Sequence, residues 1–501
     1  MDFLYLNQES ASCPRALASG ELLSGDPFLE RWRRHITTDE ACIRHRQALF
    51  SDVLAMEGLS DFLFSLFEKL TEYAPLVKQK QVVGDEERMH CLLYPMVYIE
   101  LIGMIEEGLS SFMANVSSEP LKSLYELAKH DRESREYAMV KKYYEQNAKA
   151  LRSVHSVTVG INLDALYRPK EAGILSLNEE EFRSGDLLDR IIKLDFSKDD
   201  FHCLAPITVI DKGLGFRESQ QVNYAFLKAM EKVLDHGISH VVRRTLRFVR
   251  ERLTGYFAYM ESLGFVVDGI KQIQTFRKKN IPLCFPKVSV DRSFRLSALY
   301  DSTLCIAKDK GDVVPNSVCL EGGKSCYLLT GPNSGGKTVF IRSLAAAQCY
   351  FQLGLPIPAK EGEMPVCDAI RMICADQSEK TTLGGRFEKE CKALSALLGA
   401  HTPNSLVLID EALTSTSPTE ALPIAVGVIR KLCKIGGTVI FVTHYHELCE
   451  DPAMFAPCGE AIGYLHTEAK GEKRDYAVKL GRGARGSYAQ SIAERYHLMA
   501  E

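Results

Sequence analysis

The stretch LLTGPNSGGKTVFIRSLA, Leu328 to Ala345, holds Gly331, Pro332, Asn333, Ser334, Gly335, Gly336, Lys337 and Thr338 between an apolar lead-in and a helix-like run. Glycines in such a loop let backbone amides turn inward onto an anion, and the N-terminus of the next helix adds partial positive charge. The order of strand, glycine loop and helix is that of a phosphate loop. Lys337 is expected to reach the β- and γ-phosphates of ATP, and Thr338 to bind Mg²⁺ through its hydroxyl. A second stretch, SLVLIDEA (Ser405 to Ala412), ends an apolar run in two carboxylates. Asp410 is expected to hold Mg²⁺ directly or through water, and Glu411 to polarise the attacking water as a general base. A third, GGTVIFVTHYHEL, ends a further strand in Thr443-His444, where the histidine is placed to sense the γ-phosphate by a hydrogen bond.

These residues need elements to position them. From about 281, after the closely spaced prolines of IPLCFP, short apolar runs (SCYLLTG, AIRMICA, SLVLIDEA, GGTVIFVTH) alternate with helical stretches. Strands buried on both faces read this way, which predicts a mostly parallel α/β sheet. Residues from about 38 to 152 and from about 220 to 280 carry apolar positions at three- and four-residue spacing, the pattern of helices. Between them SVTVGINLDALYRPKEAGILSL is rich in β-branched residues, with turn signals at Asn162-Leu163-Asp164 and Arg168-Pro169, and predicts a hairpin or small sheet. The expected organisation is an N-terminal segment 1–37, an all-α region 38–280 with a β-rich insertion at about 153–220, and an α/β domain 281–501.

A chain of 501 residues is long enough for two or more domains, since single cores seldom exceed about 250–300 residues. Hydrophobic content of 46% and charged content of 25% fit a soluble globular protein. No run of 18 apolar residues occurs, and the start lacks a basic region leading into an apolar core, so a cytoplasmic protein without a membrane span is expected. The 15 cysteines form no C-x-x-C pair and read as small buried hydrophobes, not a disulfide framework or zinc site. A net charge of −4 argues against a surface coated with nucleic-acid contacts. A local basic face remains open at Arg31, Arg33 and Arg34, at Arg243, Arg244, Arg247, Arg250 and Arg252, and at Arg277, Lys278 and Lys279, although most such runs are solvated helix faces.

In combination, GPNSGGKT, LVLIDE and VTHYHEL resemble the ATPase domain of the MutS family of DNA mismatch-repair and DNA-junction proteins. TPNSLVLIDE, Thr416-Ser417 and the closing VKLGRGARGSYAQSIAE with Ser487-Tyr488 add to the likeness. So do RHRQALFSDVL, with Arg46-Gln47, in the helical region and Val313-Val314-Pro315-Asn316 on the adenine side. The resemblance is strong over about 290–500 and looser over about 38–280. It implies a multidomain protein, with an all-α lever and core region followed by an α/β P-loop ATPase domain of the ABC type. It implies ATP and Mg²⁺ as cofactors and a homodimer with composite sites. Glu411, Lys337 and His444 would be catalytic, and Thr338 and Asp410 metal ligands. Mismatched or branched DNA would be the partner, held by a helical clamp that ATP opens and closes.

The likeness is to a family member without the N-terminal mismatch-reading and connector domains. Phe28-Leu29-Glu30 spells the family's wedge, but DPFLERWRRH around it does not match and the triplet reads as coincidence. In DQSEKTTLGGRFEKE, Gly385-Arg386 replace the Ser-Thr before Phe387, so Arg386 is a candidate for acting on the partner's nucleotide. Leu413-Thr414-Ser415 replace a Gly-Arg-Gly. A transporter ATPase subunit fits less well, since no LSGGQ-type signature occurs. The alternative of another class is an ATP-dependent scaffold that has lost DNA binding.

Overall fold

A computed structural model describes residues 3–4, 17–18, 25–78, 85–152, 155–163, 165, 169–181, 240–332, 335–374, 385–470 and 473–483. Asn333, Ser334, Gly384, Ser487 and Tyr488 lie outside the described residues, as does most of the insertion predicted at 153–220. Two compact units form, one of Met1–Ser60, Asn115–Pro120 and Ser262–Glu501, the other of Asp61–Ala114 and Leu121–Glu261.

The first unit is built on a seven-stranded sheet. Its strands are β1 (Leu17–Ala18), β2 (Cys326–Thr330), β3 (Ala369–Cys374), β4 (Leu406–Asp410), β5 (Thr438–Val442), β6 (Ile462–Lys470) and β7 (Lys473–Leu480). The spatial order is β1-β3-β4-β5-β2-β6-β7, parallel throughout except for the final antiparallel β6–β7 pair. Every residue of CYLLT, LVLID and TVIFV is buried, as central parallel strands require when both faces are covered. Helices α1 (Ser302–Ala307), α2 (Lys337–Gln352), α3 (Arg386–Ala400) and α4 (Pro418–Ile435) belong to this unit. Against one face, Ala425, Ile429 and Leu432 of α4 and Leu394 and Leu397 of α3 share a core with Val407, Ile409, Val439 and Phe441. Each large side chain fully buried there contributes about 1.5–3 kcal/mol. A separate four-stranded sheet pairs Lys287–Val288, Glu361–Met364, Phe294–Leu299 and Asn316–Leu320.

Helix α2 is buried almost along its whole length and anchors the N-terminal part of the chain. Its Tyr350 hydroxyl donates to Asp26 at 2.7 Å, and Ser302 donates to the same carboxylate oxygen at 2.9 Å. Asp26 also caps the helix Pro27–Trp32 by accepting from Leu29 N at 3.2 Å. Burial pushes the Asp26 pKa up, against the pull of these donors. Phe28 stacks on Tyr350 with 5.8 Å between centroids, so Phe28 and Leu29 are core residues and no wedge is presented at that triplet.

The second unit contains helices Asp85–Ser110, Glu119–Glu133, Arg135–Arg152 and His240–Ala258, with an antiparallel hairpin of Ser156–Leu163 and Pro169–Asn178. Asp131 is fully buried in it, accepting from Tyr256 at 3.0 Å and paired with Arg252 at 3.2 Å. The expected mixture of helical and α/β architecture is therefore present, including the hairpin. Among the described residues no helix is long and apolar enough to cross a membrane, and the cysteines are free thiols.

Candidate nucleotide-binding site

Parallel pairing brings the ends of β2, β4 and β5 to one edge, with Asp410 opposite Val442 and Leu329 also opposite Val442. Gly331, Glu411 and Thr443, which follow those strands, are therefore neighbours. Gly331 has φ +143° and Gly336, the N-cap of α2, has φ +90°. Side chains rarely tolerate either value, which is why the loop carries glycine at both positions. Lys337 is 3% exposed; its Nζ donates to the carbonyls of Gly331 and Pro332 at 3.0 Å each and lies 3.6 Å from Glu411 Oε1. Burial lowers the Lys337 pKa, with the Glu411 charge opposing.

Glu411 follows β4 at φ +52°, a left-handed conformation for a non-glycine residue and a local strain of the kind found at functional sites. Its Oε2 lies 2.9 Å from His444 Nε2, and this contact holds the carboxyl below its ordinary value despite partial burial. Thr443, before His444, anchors the turn by donating its N–H to Leu329 O at 3.1 Å and accepting from Tyr445 N at 3.0 Å. The three expected catalytic side chains, Lys337, Glu411 and His444, are thus in one chain of contacts.

Asp410 is 7% exposed, and desolvation raises its pKa while the Thr338 hydroxyl draws it down. Its Oδ1 is buried with no hydrogen-bond partner among the described residues. An unpartnered carboxylate oxygen beside a hydroxyl is suited to a hard divalent cation that completes its shell with water and phosphate oxygens. No cluster of three or more His, Cys, Asp or Glu for a metal occurs among the described residues.

A cavity of about 460 Å³ opens at this place. Gly335, Gly336, Lys337, Thr338, Val339 and Glu411 form part of its lining. Leu304, Lys308, Asp312, Val314, Asn316 and Tyr476 form the remainder. The resemblance pointed to Val314 and Asn316 alone among the latter. Leu304 and Lys308 arrive with α1, which Asp301 caps at Leu304 N (2.8 Å) while accepting from Arg342 of α2 at 3.0 Å. Lys279, counted in a basic cluster, instead donates to the carbonyls of Ile306 (2.8 Å) and Lys308 (2.9 Å). Tyr476 arrives on β7 and had no sequence signal.

Arg386 opens α3 beside the uncapped Gly385, with its side chain 55% exposed, 4.0 Å from Glu390 and outside the cavity lining. Thr416 and Ser417 both donate to Glu420 at the start of α4. Leu413 adopts φ +66° and is fully buried.

Residues 327–495 match MutS domain V. The chain is 35% identical over 217 residues to the DNA mismatch repair protein MutS of Leptospira interrogans serovar Lai, covering 42% of this chain and 25% of that protein. It is 29% identical over 255 residues to the DNA mismatch repair protein MSH2 of Saccharomyces cerevisiae, covering 49% and 26%. Against the MutS of Halalkalibacterium halodurans the identity is 28% over 203 residues, covering 40% and 24%. The matched part is thus about a quarter of the length of these relatives. The loop, the acidic pair and the histidine turn all fall inside the segment that matches MutS domain V and is similar to these mismatch repair proteins.

Proposed function

We propose that the chain is an ATPase that binds ATP with Mg²⁺ at Gly331–Thr338 and hydrolyses it to ADP and phosphate. The observation that carries the reading is that Lys337 and Glu411, 3.6 Å apart, line one cavity with Gly335 and Gly336 of the glycine loop, with His444 behind Glu411 at 2.9 Å. The loop amides and the start of α2 receive the phosphates, and Lys337 leaves its carbonyl partners to pair with the β- and γ-oxygens. Thr338 and Asp410 would hold Mg²⁺, which supplies charge neutralisation at the phosphates. Glu411, kept ionised by His444, accepts a proton from the attacking water. His444 then remains within reach of the γ-phosphate. Residues 281–501 form the ATPase domain in this reading and 38–280 the lever and core region.

The domain V match and the relatives' names support a further step, in which a homodimer uses the ATP cycle to open and close a clamp on mismatched or branched DNA. A second reading is an ATP-dependent scaffold without DNA binding. It is favoured by the basic residues already engaged within the chain, Arg31 with Asp268 (2.9 Å), Arg252 with Asp131 and Lys279 with two carbonyls. Calorimetry with Mg–ATP tests the first step: Lys337→Ala is expected to weaken binding at least about tenfold, the loss of a charge-assisted contact. Wild-type affinity in that variant would contradict it. Binding to branched duplex across a salt series separates the two readings, because phosphate contacts impose a steep salt dependence.

A further inference from the structure

Strand β6 runs beside the phosphate loop. His466 pairs with Thr330, which brings Thr467 alongside Gly331. A Cβ on Gly331 would stand 2.1 Å from Thr467 Oγ1, and one on Gly335 would stand 2.7 Å from the same atom. The hydroxyl is therefore enclosed between two glycines of the loop. Thr467 is 4% exposed, and its Oγ1 has no hydrogen-bond partner among the described residues. A buried hydroxyl left unpaired is unfavourable, and a threonine where valine would fill the same space calls for a reason.

The loop supplies that reason. Its Gly331 and Pro332 carbonyls accept from the Lys337 ammonium, the group that must turn to the phosphates when nucleotide enters. Both carbonyls then lose this donor, Pro332 O keeping Gly335 N at 3.0 Å, while one buried, unused hydroxyl donor stands against the loop. We propose that Thr467 is a positioning residue for the nucleotide: its hydroxyl takes over as donor to the Gly331–Pro332 carbonyls when Lys337 leaves them. The loop then keeps its shape with the lysine gone. The same hairpin braces the loop a second time, since a Cβ on Gly336 would meet Tyr476 Cβ of β7 at 3.4 Å.

This inference rests on the nucleotide-binding reading, and the test separates the two. In the full chain, Thr467→Val and Thr467→Ser are compared with the parent for unliganded melting temperature and for Mg–ADP affinity by calorimetry. Thr467→Val is expected to melt no lower than the parent without nucleotide, because the lost group has no bond to lose. Its dissociation constant for Mg–ADP should rise about three- to tenfold, the loss of one hydrogen bond, and Thr467→Ser should restore it. Unchanged affinity in Thr467→Val, or an affinity in Thr467→Ser as weak as in Thr467→Val, overturns the proposal while the nucleotide site stands. A drop in the unliganded melting temperature that fully accounts for the weaker binding overturns it as well, by making the role structural. A parent chain that binds no Mg–ADP overturns both.

Discussion

Asp410 and Lys337 are each held in an environment that disfavours their charge, and for both the cause is burial. Such strain at a site is relieved by ligand, and removing it trades function for stability. For Asp410 the folded-state pKa lies above the unfolded one. Its contribution to stability is full below the ordinary carboxylate value and is lost as pH rises through the folded value. Above the folded value the ionised group is a net cost, so Asp410→Asn should raise the unliganded melting temperature there while abolishing the Mg²⁺ dependence of ATP binding. A lowered melting temperature would show that the carboxylate is needed for folding. For Lys337 the shift is downward, so the free protein loses this proton below the ordinary lysine value of 10.5. Phosphate binding needs the ammonium. The dissociation constant for ATP should therefore climb with pH already below 10.5, which titration calorimetry in a pH series reads directly, and Lys337→Arg should shift that rise to higher pH.

At the scale of elements, the cavity depends on how α1, α2 and the β6–β7 hairpin are held against one another. Asp301 is the joint between α1 and α2: it caps one helix and binds Arg342 of the other while 2% exposed. Asp301→Ala should cost about 1–3 kcal/mol, a lost cap together with a broken ion pair, and should weaken ATP binding as Leu304 and Lys308 shift. Urea unfolding and calorimetry on the same variant would check both; a destabilised protein with unaltered affinity would disconnect α1 from the site. This wall was the least legible part of the sequence. The left-handed backbone at Gly331 and Gly336 was legible because GPNSGGKT puts glycine where local geometry needs it, and the placement of Asp410-Glu411 because an all-apolar LVLI run must be a central strand. The hairpin at Ser156–Asn178 was legible from its β-branched residues. Tyr476, Leu304, Lys308 and Asp312 were not, since they reach the cavity through tertiary placement with no motif of their own. Thr467 reads as an ordinary strand residue until the glycines beside it are located in space.

For the whole molecule, the first unit holds every described residue of the candidate nucleotide site, and the second holds most of the described helical region. In the function proposed, binding and hydrolysis are divided between two carboxylates, Asp410 on the cation and Glu411 on the water. The most direct measurement is steady-state ADP formation from Mg–ATP by the full chain and by Glu411→Gln, with ATP affinity measured alongside. The account predicts turnover in the parent, and in Glu411→Gln retained binding with turnover reduced about a hundredfold or more, the usual scale for removing a general base. Turnover by Glu411→Gln at the parent's rate, or no turnover by the parent, would contradict it.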